Sequence, residues 1–238
     1  FMVDPAVHFI SGKVTTTYKA ISNLDTLVFD LSNALTVSTV KKNGVLLSFS
    51  QNANNELVIL VPATQTSGTI ASVEITYSGA PVSSGFGSFN INTHAGAPIM
   101  WTLSEPFGAR DWWPCKQDLN DKADSIDVYI TAPSQYVSVA NGIEPAAPII
   151  SGTQKTTHFK HKYPIPAYLI AFAVSNYAVH NQVGGTAPNL YPIINYLYPE
   201  TMSANLVKLN QTPLILSLFD SLLIPYPYSL EKYGHAQF

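Results

Sequence analysis

The chain has 238 residues, enough for one large all-β domain or for one domain and part of another. Only 11% of them are charged, against about 25% in an ordinary soluble domain. With a net charge of −3 and no basic cluster, a nucleic-acid footprint is excluded, and no apolar run reaches the roughly 18 residues of a membrane span. Ser, Thr and Asn supply the polar surface instead, a composition that fits an exported protein. The single cysteine excludes an internal disulfide and says nothing of compartment. The chain starts at Phe1 without a basic or apolar leader, so a processed or truncated chain is expected, any targeting peptide lying outside it.

From His8 to Val61 short alternating segments predict strands, among them Lys13–Ala20, Thr26–Leu31 and Leu35–Val40. Asn43-Gly44 between apolar alternations predicts a tight hairpin joining Val37–Val40 to Val45–Phe49. Ile70–Tyr77 alternates, with Ile70, Val73, Ile75 and Tyr77 expected mostly toward one side. A Gly/Ser/Pro loop follows over Ser78–Gly87, then strands at Phe89–Asn92 and Pro98–Leu103. Ser125–Thr131 and Tyr136–Ala140 alternate again, the second ending in Asn141-Gly142. Thr153–Lys162 reads as a polar, edge-like strand. Tyr168–Tyr177 is apolar on both faces and predicts a central buried strand.

Near residue 181 the composition shifts, and Asn181–Asn189 reads as a linker. Tyr191–Tyr198 predicts one more strand. Thr201–Leu223 predicts the one long helix, with Leu206, Leu209, Leu214, Leu216, Leu218, Leu222 and Leu223 at rough helical spacing. Pro213 inside it is expected to bend or interrupt it, and Pro225 and Pro227 stop it. A lone helix cannot bury its own apolar face, so residues 186–238 read as the opening of a second domain after a β domain at 1–185. The helix face is expected to be exposed.

Chemistry concentrates in residues 101–115, which hold all three Trp, the only Arg (Arg110) and the only Cys (Cys115). Glu105 sits at a strand end before Pro106-Phe107-Gly108 and is expected to be partly desolvated among the rings. It has two open readings: a structural pair with Arg110, or a carboxylate free to bind a ligand ammonium. Asp118, Asp121, Lys122, Asp124 and Asp127 read as a solvated turn. The six histidines assemble no metal site by spacing; His158 and His161, three apart on a strand, point to opposite faces. No HExxH, nucleophile elbow or phosphate loop is present.

The stretch TLSEPFGARDWWPCKQD (102–118) with DKA (121–123) resembles the strand-turn-strand segment of the M1 (gluzincin) aminopeptidases. PIPAYLIAFAVSNY (164–177) resembles a later buried strand of the same domain, and YPYSLEKYG (226–234) the lead-in to the exopeptidase loop. The resemblance implies an all-β, saddle-shaped N-terminal domain over 1–185. It also implies that residues 186–238, with a strand, a helix at about 201–223 and a strand, begin a thermolysin-like catalytic domain. The parent would be a zinc aminopeptidase acting on peptides through their free N-terminus. Zinc, its HExxH ligands and the rest of the catalytic domain would lie outside this chain, which would itself be inert. Glu105 matches the family position that helps bind the substrate α-amine, and the bond to Pro106 is expected to be cis. Leu103 stands where relatives often carry Gln. Two rival readings are a β-sandwich binding or adhesion module stacking ligands on Trp112 and Trp113, and a degenerate M1-like scaffold without zinc chemistry.

Overall fold

Alternation of apolar and polar residues dictates most of the architecture, because successive strand side chains point to opposite faces. A computed structural model describes residues 1–238. It divides them into two units, one of Phe1–Asn90, Thr102–Ala123 and Ile165–Ala171, the other of Ile91–Trp101, Asp124–Pro164 and Phe172–Phe238.

The first unit opens with β1 (Met2–Asp4), β2 (Val7–Lys19), β3 (Leu24–Asp30) and β4 (Leu35–Lys42). β5 (Val45–Leu46), β6 (Phe49–Gln51), β7 (Glu56–Gln65) and β8 (Ile70–Gly79) follow. Its strands run in the order β1-β2-β8-β4-β5 in one sheet and β3-β7-β6 in another. Antiparallel pairing sets Val14 opposite Ile75 and Val40 opposite Ile75 on the other side, so β8 is central. Val73, Ile75 and Tyr77 are buried, while Ile70 at the strand start is exposed. Asn43 and Gly44, both with positive φ, turn β4 into β5 with Lys42 opposite Val45, as the Asn-Gly pair predicts.

The second unit contains β9 (Asn90–His94, from its second residue), β10 (Ala97–Trp101), β11 (Ile126–Pro133), β12 (Val137–Ala140) and β13 (Ile149–Ser151). It continues with β14 (Gln154–His161), β15 (Phe172–Ser175), β16 (Ala178–Gly184), β17 (Tyr191–Leu197) and β18 (Tyr233–Ala236). These form the orders β13-β14-β11, β12-β15-β10-β9 and β16-β17-β18. The strand expected to be edge-like over Thr153–Lys162 is instead flanked on both sides, by β11 and β13. Its polar residues are accommodated by cross-strand partners, such as the Thr131–Thr156 hydroxyl pair at 2.8 Å. The Tyr168–Tyr177 run is shorter as a strand than its apolarity suggests. Ala167–Leu169 makes a 3₁₀ turn, and only Phe172–Ser175, buried throughout, pairs on both sides.

The single helix expected at 201–223 is two. α1 (Met202–Leu209) ends at Asn210, and α2 (Thr212–Leu222) starts with Pro213 in its first turn. Proline has no N–H to bond back to the preceding turn but fits a helix start, so the break falls just before it. Only Leu216 of α2 is buried, beside Tyr191 and Ile193. Leu214, Leu218, Phe219, Leu222 and Leu223 are each at least half exposed, at 64%, 52%, 50%, 69% and 74%. The exposed face expected from the sequence is there. No helix is long and apolar enough to cross a membrane.

Candidate functional site

Segment 102–115 lies in the first unit and is bracketed by buried bonds. Asp30 and Cys115 exchange backbone hydrogen bonds at 2.8 and 3.0 Å, which ties the end of the segment to β3. Ser104 is the near anchor: its carbonyl accepts from Gly108 N–H at 2.8 Å, and its hydroxyl accepts from the Trp112 indole N–H at 2.9 Å. Tyr77 of β8 donates its buried hydroxyl to the Trp112 carbonyl at 2.8 Å. Residues 105–107 bulge from this frame into solvent, and the Glu105–Pro106 bond is cis, as the resemblance implies.

Glu105 is exposed, which corrects the expectation of a carboxylate desolvated among rings. Trp112 is fully buried, its indole N–H bonded to the Ser104 hydroxyl. Glu105 and Arg110 form no ion pair, and no side chain of the chain hydrogen-bonds the Glu105 carboxylate. Arg110 acts electrostatically on Cys115 instead. Burial drives that thiol well above its usual range, Asp30 and Asp111 push the same way, and the guanidinium opposes them. Cys115 is therefore an inert, buried thiol.

The tryptophan platform does not form. Trp112 is inaccessible, and its ring meets that of Trp113 at 48° with centroids 5.9 Å apart. Trp101 belongs to the second unit, where it stacks on Phe238 at 5.5 Å.

The sequence reading missed a buried polar knot beside the turn. Asp111 is 4% exposed, and its Oδ2 accepts hydrogen bonds from both Ser84 and Ser88, the latter at 2.5 Å. Ser88, itself fully buried, accepts from Ser84 N–H at 2.9 Å and gives its carbonyl to Leu103 N–H at 3.3 Å. A Cβ on Gly108 would lie 2.5 Å from Ser88 Cβ, so only glycine lets the two stretches close on each other. The available signal was Ser84 and Ser88 in the Ser78–Gly87 loop region and an Asp beside the only Arg, but no local period links them.

The histidines disperse. In the second unit His158 Nε2 meets Asp127 at 2.7 Å, with Lys160 on the other Asp127 oxygen at 2.7 Å, and both hold that carboxyl below its usual range. Asp127 thus leaves the loop group and serves β11–β14 pairing. Asp118 caps Asn120 N–H at 2.9 Å, and Asp121 pairs with Lys116, as a solvated turn requires. His161, on the opposite face from His158, meets Glu231 at 2.5 Å in the interior. His94 lies between Glu200 (2.6 Å) and Ser175 (2.9 Å), an order that resembles a nucleophile-base-acid relay. Ser175 is fully buried and donates to the Pro98 carbonyl at 2.9 Å, so no substrate reaches it. No group of three or more His, Cys, Asp or Glu stands together as a metal cage.

Residues 1–169 match the family model described as the Peptidase M1 N-terminal domain. The leucine aminopeptidase 2 of Neurospora crassa is 29% identical over 150 residues, covering 60% of this chain and 22% of that protein. Human glutamyl aminopeptidase is 26% identical over 134 residues, covering 56% of this chain and 14% of its own length. Among solved structures, the M1 zinc metallopeptidase of Deinococcus radiodurans superposes with a TM-score of 0.82 at 24% identity, over 99% of this chain and 53% of that one. A mutant of that metallopeptidase bound to a Tyr-Ser-Ala substrate gives 0.82 at 23%, over 99% and 54%. The matched stretches thus span 22% or less of these curated relatives, and the chain covers about half of the solved structures.

Proposed function

The chain belongs to the M1 peptidase family, whose N-terminal domain model it matches over residues 1–169, and from that premise we propose that it forms the amine-anchoring part of a zinc aminopeptidase. Residues 1–185 act as the N-terminal β domain and residues 186–238 begin the catalytic domain. Glu105 receives the α-ammonium of a peptide substrate. Zinc, held by residues outside this chain, polarises the scissile carbonyl when bound. The share of the chemistry that Glu105 would take is to bind and orient the substrate's N-terminus.

The observation that carries this reading is the state of the Glu105 carboxylate: exposed, with no partner in the chain, on a turn whose flanks are fixed by buried hydrogen bonds. A structural Glu105–Arg110 pair would spend that charge internally, and it does not form. An exopeptidase must hold a fixed distance from ammonium to scissile carbonyl, and a carboxylate on a rigid turn supplies a charge-assisted anchor at one end of that distance. With Leu103 in place of the frequent Gln, no second polar side chain at that position shares the load.

Glu105→Gln in the full-length enzyme keeps the shape and removes the charge. Once bound substrate and the catalytic domain enclose the carboxylate that is exposed here, removing one partner of the resulting desolvated ion pair costs about 2–5 kcal/mol. At about 1.4 kcal/mol per tenfold, kcat/KM for an aminoacyl anilide falls by about 30-fold or more. Wild-type kcat/KM in this variant would remove the anchor from Glu105.

A further inference from the structure

The knot of Ser84, Ser88 and Asp111 has no part in the family chemistry described above, yet it joins two stretches on either side of the proposed anchor. We propose that Asp111 is a positioning residue for substrate binding, holding the 84–88 loop against the 104–108 turn so that Glu105 presents its carboxylate in one place. This rests on the assignment of Glu105 as the amine anchor.

A buried carboxylate needs strong donors. Asp111 has no cationic partner within ion-pair distance, and two serine hydroxyls meet one of its oxygens. Both serines come from one loop. Ser84 N–H bonds Ser88 Oγ, and the Ser84 carbonyl accepts from the N–H groups of Gly87 and Ser88 at 3.0 Å each. The loop is therefore a closed turn gripping one carboxylate. From Ser88 the grip passes to the backbone before the anchor through Leu103 N–H. Asp111 N–H bonds the Gly108 carbonyl at 3.0 Å, and Gly108 N–H bonds the Ser104 carbonyl. Leu103, two residues before Glu105, is thus linked to the Asp111 carboxylate through two bonds, while Gly108, three residues after it, is held by the Asp111 backbone N–H.

A mere stabiliser would protect the fold and nothing more. A positioning residue acts through Glu105, and coupling distinguishes the two roles. The test compares Asp111→Asn, Glu105→Gln and the double variant in the full-length enzyme, measuring KM and kcat on an aminoacyl anilide. Asparagine fills the same space but is a neutral, weaker acceptor for the two hydroxyls. Asp111→Asn is expected to raise KM about tenfold with kcat little changed, since small displacements of a positioning group cost up to about a hundredfold. In the Glu105→Gln background the same change is expected to cost less than twofold. If Asp111→Asn does not fold, as judged by thermal unfolding, Ser84→Ala enters the same cycle with a smaller KM effect and the same loss of that effect beside Glu105→Gln.

Wild-type KM in the positioning variant, or an equal loss in both backgrounds, overturns the proposal while Glu105→Gln remains impaired. An unimpaired Glu105→Gln overturns the anchor first and the positioning role with it, so the two failures are told apart by one column of the experiment.

Discussion

Lys232 is the group whose environment makes the sharpest demand on stability. Its ammonium sits over the rings of Phe159 and Tyr196, 5.0 and 5.7 Å from their centroids. Burial lowers its pKa from 10.5 to about 8, while Glu144 and Glu231 pull the other way. The sign follows from proton counts. Between about pH 8 and 10.5 the unfolded chain holds this proton and the folded chain has lost it, so stability rises with pH through that window. Below the folded value the full penalty applies, about 3.5 kcal/mol for a displacement of about 2.5 pH units at about 1.4 kcal/mol each. Lys232→Met keeps the stem on the rings and removes the ammonium. The variant is expected to unfold at higher urea concentration than wild type at pH 7. Its advantage shrinks by about 2 kcal/mol on going to about pH 9.5. The assay stays below the range where tyrosines intervene: Tyr226 is pushed up to about 12 by burial, so tyrosine ionisation removes stability only above about pH 10. A stability difference that does not change between pH 7 and 9.5 would show that the ammonium is well solvated in the fold and refute the reasoning.

Two further outcomes follow from packing. Gly142→Ala would set a Cβ 2.1 Å from the Lys160 carbonyl at a φ of +82°, against the bridge in which Ile143 and Lys160 exchange hydrogen bonds at 3.0 and 2.8 Å; a loss of about 2 kcal/mol or more in urea unfolding is expected. Leu218→Lys with Leu222→Lys breaks the exposed apolar face of α2, and sedimentation of this chain at high concentration is expected to shift toward monomer with unfolding little affected.

What could be read from the sequence was whatever a short period encodes. The Asn43-Gly44 hairpin, the buried side of β8 and the stop before Pro213 each depend on residues within a few positions of one another. β14 was misjudged because its Thr, Lys and His side chains look solvated in one dimension, whereas Asp127 and Thr131 on β11 meet them across the sheet. The Glu105 turn was legible as a motif but not as an environment. Its rings are close in sequence, yet the fold sends Trp112 inward to Ser104 and Tyr77 and leaves the carboxylate outside. The Asp111 knot was not legible at all, since its partners lie 27 and 23 residues away with only serine to mark them. The same holds for His161 and Glu231, 70 residues apart.

The exposure of Glu105 and the rigidity of its surroundings belong to one design problem. An anchor must be fixed in place before substrate arrives, or its ordering entropy is subtracted from binding. The simplest way to fix a carboxylate is to give it a cation, but a cation would compete with the ammonium that the proposed anchor would receive. Under the roles proposed for them, Glu105 and Asp111 divide this work between two carboxylates. Asp111 is buried, and two serine hydroxyls donate to one of its oxygens, so its charge goes into holding the 84–88 loop. Glu105 makes no such bonds, and Arg110 forms no ion pair with it. Moving the internal bonding from Glu105 to Asp111 lets the turn be stiff without neutralising the group it presents. Substituting the buried carboxylate should therefore blur where the exposed one stands, while substituting the exposed one should leave the turn intact and remove its charge.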